Sequence, residues 1–469
     1  MKHIALILLA LLMTASTIAF AVVRLPSIFS NNMMLQQNAN VAIWGYAKPI
    51  TKISIQPSWS NKRDSTLSDQ SGKWKTKVST PPCGGPFTIT ISDGQPVTIN
   101  NVLIGEVWIC SGQSNMEMPI KGFVNQPVDG SMDAMVHSKN KNIRLFTVKR
   151  NAKTTPQDDC QGSWSEAAPE SVYEFSAAGY FYGRMLNEIT RMPVGLINVS
   201  LGGSTVQGWM NPHALEGTDY LIPAINDSVK SWGSTPTLLF NAMLNPVIGY
   251  GMRGAIWYQG ESNHKRPENY ALLLEKMVLE WRNLWGIGEF PFYFVQIAPY
   301  RYNDGVNSAL LREAQLKASK TIPNAAIAIN MDANSPDCIH PSKKKEVGER
   351  LAYLALAKTY HVKGFQYSSP FLKEFEIKGS SIELTFETQS GGKLTSFGKE
   401  IKGFLIAGKN RYFEKAIAAI AGNKITVFSA SVKEPVAVRY AFNDDAESEI
   451  FTLAGLPVSS FRTDDWEVK

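Results

Sequence analysis

The chain has 469 residues, 44% of them hydrophobic and 19% charged, a balance that excludes a disordered chain and predicts two or three domains with substantial cores. Its 47 Lys and Arg against 41 Asp and Glu leave a net charge of +6, too modest to point to nucleic acid. The only basic block, Lys343-Lys344-Lys345, opens a predicted helix and reads as a solvated face rather than a DNA or RNA contact.

The first residues, MKHIALILLALLMTASTIAFA, carry a basic Lys2, an apolar stretch from Ile4 to Met13 and an Ala19-Phe20-Ala21 ending. That order predicts a cleavable secretory signal over 1–21 and a mature protein, starting near Val22, that is secreted or periplasmic. The apolar stretch is short for a membrane span, and no later segment approaches the necessary length.

From 22 to 103 the runs VAIWGYA, KISIQPS, KWKTKVST and PFTITIS are short and β-rich, and Asp93-Gly94 between TITIS and QPVTI marks a hairpin. A small β-sandwich is predicted there. Over 104–363 the pattern changes. IGEVWIC, NIRLFTV, VGLINVS, MRGAIWY, PFYFVQI and AAIAINM read as buried strands. Between them lie helix-like stretches such as SAAGYFYGRMLNEIT and ENYALLLEKMVLEWRNLW, the second with Leu272, Leu273, Met277, Leu279 and Trp281 near helical spacing. Strands alternating with helices predict an α/β domain, a parallel sheet with helices on both faces, closed by a last helix over 343–360. From 364 to 469, SSIELTFE, GFLIAG, KITVFSA and PVAVRYAF return to strands. They predict a second β-rich region, free-standing or packed back on the middle domain. Cys83, Cys110, Cys160 and Cys338 show no paired spacing, so neither a zinc site nor a disulfide framework is indicated. A single disulfide remains compatible with an oxidising compartment, and a Cys110–Cys338 pairing stays open.

In an open parallel sheet, ligands bind outside the carboxyl ends of the strands. Four small or polar clusters fall at that edge: SGQSNM, LGGSTVQGW, QGESN and DANSPDCIHP. Each alone is an ordinary turn; their common placement is what a turn does not explain. The last holds Asp337 and His340, and Pro341 disfavours a helix at His340. A nearby carboxylate can fix one imidazole nitrogen and leave the other as a base. Of the six histidines, His3 lies in the signal, His137, His213 and His361 follow no strand of the sheet, and His264 has no evident carboxylate beyond Glu261. His340 is the best base. Ser114 in GQSN supplies a nucleophile at the same edge, with Gly112 permitting a tight turn and a helix start offering N–H groups to an oxyanion. Gly202 and Gly203 offer another N–H, and Gln259 or Asn263 a side-chain amide. Cys110 reads as a buried hydrophobe, and Ser111 as facing the strand end. A metal site is disfavoured, since no two histidines share a ligand spacing.

GEVWICSGQSNM, GGSTVQGW, WYQGESN and DCIHP together resemble the SGNH/GDSL hydrolases, specifically the sialate O-acetylesterase group and related carbohydrate acetylesterases. LPSIFSNNMMLQQ, LREAQ and GLPVSSFRTD extend the resemblance over nearly the whole mature chain. The resemblance implies a three-layer α/β/α domain, with Ser114 as nucleophile, His340 as base and Asp337 as the residue orienting it. It implies an oxyanion hole of the Ser114 amide, Gly203 and Gln259. Many SGNH enzymes carry Asn in the third block where QGE stands here, so Gln259 is preferred to Asn263. Asp332 and Glu261 are rival carboxylates for His340. Gln207 stands where many relatives carry an acidic residue. The expected activity is a serine esterase releasing acetate from sugar hydroxyls, with no metal or organic cofactor. By resemblance the substrate is acetylated sialic acid, with acetylated xylan or another polysaccharide as the rival. A third reading, a non-catalytic carbohydrate-binding protein, is opposed by the intact Ser114, Asp337 and His340. Trp209, Trp257, Tyr258 and Tyr300 read as core or pocket wall before sugar platforms. The sequence does not give the oligomeric state.

Overall fold

The computed structural model describes residues 23–225, 227–229, 231–333 and 336–468; the predicted signal lies outside them. Strands β1 (Met34–Gln36), β2 (Asn40–Tyr46), β3 (Lys52–Pro57), β4 (Asp64–Leu67), β5 (Lys73–Ser79), β6 (Gly84–Ser92) and β7 (Pro96–Gly112) build the N-terminal part. β2 pairs antiparallel with β5, while β3, β4, β6 and β7 belong to a second sheet. The period-two pattern buries Val41, Ile43, Trp74 and Val78 from one sheet with Ile53, Ile55, Ile89 and Ile91 from the other in one apolar cluster. The Asp93-Gly94 turn closes β6 onto β7 with Ser92 opposite Pro96.

β7 is 17 residues long. It leaves the N-terminal sheet and continues as a central strand of the α/β sheet, so the 103/104 boundary falls inside one strand. The remaining strands are β8 (Asn140–Thr147), β9 (Trp164–Ala167), β10 (Val194–Ser200), β11 (Gly254–Tyr258), β12 (Phe292–Val295) and β13 (Ala325–Ala328), in the order β13-β12-β11-β7-β10-β8-β9. All six predicted strands are present and pair in parallel. The sheet is nonetheless mixed, because β9 runs antiparallel to β8 at the edge. Its four residues, WSEA, are too short and too polar to read as a buried strand, and an edge position does not require them to be one.

The helices that matter here are α1 (Ser114–Glu117), α2 (Ala177–Thr190), α3 (Pro267–Trp285), α4 (Ala309–Thr321) and α5 (Lys344–Lys358). Ser176 caps α2 by accepting the Gly179 N–H at 3.0 Å. α3 opens on a proline and ends at Gly286 in the left-handed region. Alternate strand residues go to opposite faces: Trp108, Cys110, Ile256 and Tyr258 cluster with α2 and α5, while Ile109, Ala255 and Trp257 cluster with α3 and α4. The buried stripe of α3 is Tyr270, Leu273, Leu274, Met277, Val278, Trp281 and Trp285. Leu272 and Leu279 are exposed, a correction to the apolar face predicted from spacing; they sit on the solvent side of a 3.6-residue repeat. Trp257 is edge-on to Trp281 and Trp209, at 5.8 and 6.4 Å between ring centres. Trp209, Trp257 and Tyr258 are thus core residues with no face for a sugar.

The C-terminal part contains two four-stranded sheets and packs back on the α/β part. The contact joins two of the motifs singled out above. Arg312 of LREAQ is fully buried and donates to Ser460 Oγ at 3.1 Å and to the carbonyl of Asn443. Its neighbour Glu313 pairs with Arg462 at 2.8 Å, and Gln296 meets Ser459 at 2.9 Å. Among the described residues, no helix is long and apolar enough to cross a membrane.

Candidate active site

Parallel pairing brings the ends of three strands to one level: Ser200 and Tyr258 both lie opposite Gly112. Gly112 has φ +137°, and a Cβ there would stand 2.1 Å from the Tyr258 carbonyl oxygen. Only glycine lets the chain turn out of the sheet at this point. Gln113 then donates its N–H to the same carbonyl at 2.9 Å, and its side-chain oxygen accepts from Gly260 and Ser262 N–H, both at 3.2 Å. The turn is thereby pinned to the QGESN loop. Ser114 follows as the first residue of α1, half-buried, where its N–H has no acceptor within the helix. The other two candidates in this stretch are withdrawn from any substrate. Ser111 is fully buried and donates to the Val199 carbonyl at 2.6 Å. Cys110 is fully buried too, and burial pushes its thiol up.

The GGS loop closes on Ser114 from the next strand. A Cβ on Gly202 would lie 3.4 Å from Ser114 Cβ. The Gly202 N–H is held by Glu117 Oε2 at 2.7 Å, whose other oxygen takes Arg150 Nε at 2.5 Å. Gly203, exposed at φ +72°, keeps its N–H without an acceptor among the described residues. Gln259 is fully buried, and both its amide hydrogens are committed, to Ser204 O at 3.1 Å and Asn263 Oδ1 at 2.7 Å. Two acceptors at that nitrogen fix which end of the amide lies there. Asn263 Nδ2 donates to Gln207 Oε1 at 3.1 Å, and its second hydrogen has no acceptor among the described residues.

His340 and Ser114 belong to segments that touch through their neighbours. Asn115 Nδ2 donates to the Ile339 carbonyl at 3.0 Å, so the residue after the serine grips the residue before the histidine. His340 Nδ1 donates to Gln126 Oε1 at 2.7 Å, which leaves Nε2 as the basic nitrogen. Burial first, and the charge of Lys344 second, hold the imidazole down to about 4. Asp337 is not brought to His340: its carboxylate is 74% exposed and pairs with Arg301 at 2.7 Å. Asp332 is bound by Arg350 at 2.6 and 2.7 Å. Glu261 is buried, its Oε1 accepting from Asn115 at 2.5 Å, and burial pushes its carboxyl up. Ser114 Oγ makes no hydrogen bond among the described residues, an open geometry common before substrate binds.

Residues 104–357 match the family model described as carbohydrate esterase, sialic acid-specific acetylesterase. The chain belongs to this family. It is a carboxylic ester hydrolase. It is similar to the sialate O-acetylesterase of Mus musculus, 26% identical over 452 residues, with 82% of each chain covered. The sialate O-acetylesterase of Homo sapiens is 26% identical over 407 residues, covering 78% of this chain and 77% of that one. A carbohydrate acetylesterase from Xanthomonas citri superimposes with a TM-score of 0.86 at 32% identity, over 95% of this chain and 100% of that one.

Several groups of the esterase carry no signal in the sequence. Lys344 lies in the block expected to be a solvated face. Lys343 and Lys345 are exposed, but Lys344 is completely buried, because its helical position faces the sheet. His264 does have a carboxylate: its Nε2 meets Asp304 Oδ2 at 2.7 Å, its Nδ1 meets the Glu261 carbonyl at 2.7 Å, and its ring stacks on Tyr302 at 4.0 Å. The His264 hydrogen bond is the main cause holding Asp304 down to about 2. Forty residues separate the pair, so no local spacing could reveal it. All four cysteines are free, and no group of His, Cys, Asp and Glu among the described residues is arranged to hold a metal ion.

Proposed function

We propose that the protein hydrolyses O-acetyl esters of sugars through an acyl-serine. Ser114 attacks the acetyl carbonyl, His340 Nε2 takes its proton and returns it to the departing sugar hydroxyl, and water then releases acetate by the same steps. The N–H groups of Ser114 and Gly203 stabilise the oxyanion. Gln259 serves that hole by holding the Ser204 carbonyl next to Gly203, and the unpaired Asn263 hydrogen is the side-chain donor it leaves available. Asp337 is the carboxylate assigned to the imidazolium, which requires it to leave Arg301 as substrate binds. The observation that carries this reading is the junction of Ser114, Gly202 and the His340 loop at the carboxyl ends of β7, β10 and β11. The three-layer α/β/α reading of 104–363, the flanking units at 22–103 and 364–469, and export directed by 1–21 belong to the same proposal.

Acetylated sialic acid is the preferred substrate. The relatives named sialate O-acetylesterase support it, as does Arg150. That side chain is exposed, and among the described residues its only polar contact is through Nε to Glu117, which also holds the Gly202 N–H. A guanidinium fork matches the carboxylate of an acidic sugar. A neutral xylan offers it nothing, which makes acetylxylan the second reading. Acetate release from 9-O-acetyl sialic acid and from acetylated xylan, with Ser114→Ala as control, tests both. Preference for xylan reverses the substrate assignment, and activity retained in Ser114→Ala refutes the mechanism.

A further inference from the structure

The ammonium of Lys344 takes no part in the hydrolytic steps. It lies completely buried at the start of α5, donates to Asn115 Oδ1 at 2.7 Å and to the Pro341 carbonyl at 2.7 Å, and stands 5.7 Å from the centre of the Tyr258 ring. Asn115 is also fully buried. Its Nδ2 donates to the Ile339 carbonyl at 3.0 Å and to Glu261 Oε1 at 2.5 Å. The residues on both sides of His340 are therefore tied, directly or through one ammonium, to the residue that follows Ser114. These bonds form the joint between the two catalytic segments.

A buried cation is a costly way to make a joint. An apolar side chain of similar volume would fill the space without removing a charge from water. Glu261 offsets the charge from the far side of Asn115, yet its Oε2 has no partner among the described residues. Retaining both ions therefore points to a role that packing does not supply.

We propose that Lys344 is a positioning residue of the esterase, its buried ammonium locking the His340 loop onto Asn115 and so setting the approach of His340 to Ser114. The proposal rests on the assignment of those two residues as base and nucleophile. The same charge has a second effect, because a cation close to the imidazole disfavours protonating it. The titratable groups facing Lys344 are Glu261 across Asn115, Cys338 on the His340 loop and the Tyr258 phenol, with His264 facing Glu261 from beyond. Burial holds Lys344 itself down to about 7, against the opposing pull of Glu261 and Cys338. His340 accordingly stays unprotonated into acid while Lys344 is charged.

The test uses the full chain carrying Lys344→Met, and a second chain with Lys344→Met and Glu261→Gln together, so that no carboxylate is stranded. Hydrolysis of an aryl acetate is followed from about pH 4 to about pH 9, with thermal melting to establish folding. The expected result is a kcat lower by about 10- to 100-fold with KM changed less than about three-fold. The acid limb of kcat/KM should also move to higher pH in both variants, because each removes the cation beside the imidazole. A folded variant with wild-type kcat, or with its acid limb in place, overturns the proposal. Ser114→Ala is run alongside: if it remains active, the catalytic assignment fails instead, and the two failures are told apart.

Discussion

Glu117 accepts the backbone N–H of Gly202 at 2.7 Å, so the helix that begins with Ser114 also holds the loop carrying Gly203, the proposed second oxyanion donor. Glu117→Ala releases that loop. We expect kcat on an aryl acetate to fall by about 10- to 100-fold, approaching the loss of one oxyanion donor, with KM little changed. Glu117→Gln, which keeps an oxygen acceptor, should fall between the two. Steady-state kinetics on the three proteins checks the order.

Gly112 tests the turn itself. With a Cβ 2.1 Å from the Tyr258 oxygen at φ +137°, Gly112→Ala must displace the end of β7 or β11. Overpacking plus an unfavourable backbone should cost about 3 kcal/mol, read as a lower midpoint in urea with an unchanged slope.

Arg150 tests the substrate. Arg150→Ala should lower kcat/KM on acetylated sialic acid by about ten-fold or more, the worth of a charge-assisted hydrogen bond. The loss on an uncharged aryl acetate should be clearly smaller. Equal losses on both would remove the argument for an acidic sugar.

The pH profile tests the base. His340 must be neutral to accept the Ser114 proton, and burial with the Lys344 charge holds it down to about 4. Activity should therefore persist well below pH 6 and be lost toward about 4 as the ring takes up a proton. The stability linkage has the same sign. The unfolded ring protonates near its ordinary value of 6.5, so the contribution of His340 is complete above that and is lost as pH falls toward about 4. A limb near 6.5 in kcat/KM would contradict the assignment.

Asp337 is the least anchored member of the proposed triad, since Arg301 holds it in this structure. If it orients His340 during turnover, Asp337→Ala should lower kcat by about 100-fold or more, as expected for an orienting carboxylate. A loss below about five-fold would assign Asp337 to Arg301 alone and leave Gln126 as the partner of His340.

The sequence showed what periodicity and punctuation can carry. Six apolar runs marked the strands, Asp93-Gly94 marked a hairpin, and the clusters after β7, β10 and β11 marked the edge where the candidate site lies. It did not show which neighbours a side chain finds across space. Lys344 looked like one of three solvated lysines because a three-residue block has no phase; only the packing of α5 decides which of them points inward. Gln126 and Asp304 lie in loops without period, 214 and 40 residues from the histidines they meet. The WSEA edge strand was too short to register, and Leu272 and Leu279 were counted on the wrong side of α3 because they are apolar without being buried.

β7 makes the N-terminal β-strands and Ser114, the proposed nucleophile, two ends of one rod. The strand starts at Pro96 among the N-terminal strands and ends at Gly112, two residues before Ser114. The N-terminal part therefore cannot be trimmed off like a tethered accessory, since cutting at residue 103 would sever the strand that stands between β10 and β11. Nor can it swing independently, because any displacement of it is carried along the backbone that leads to Ser114.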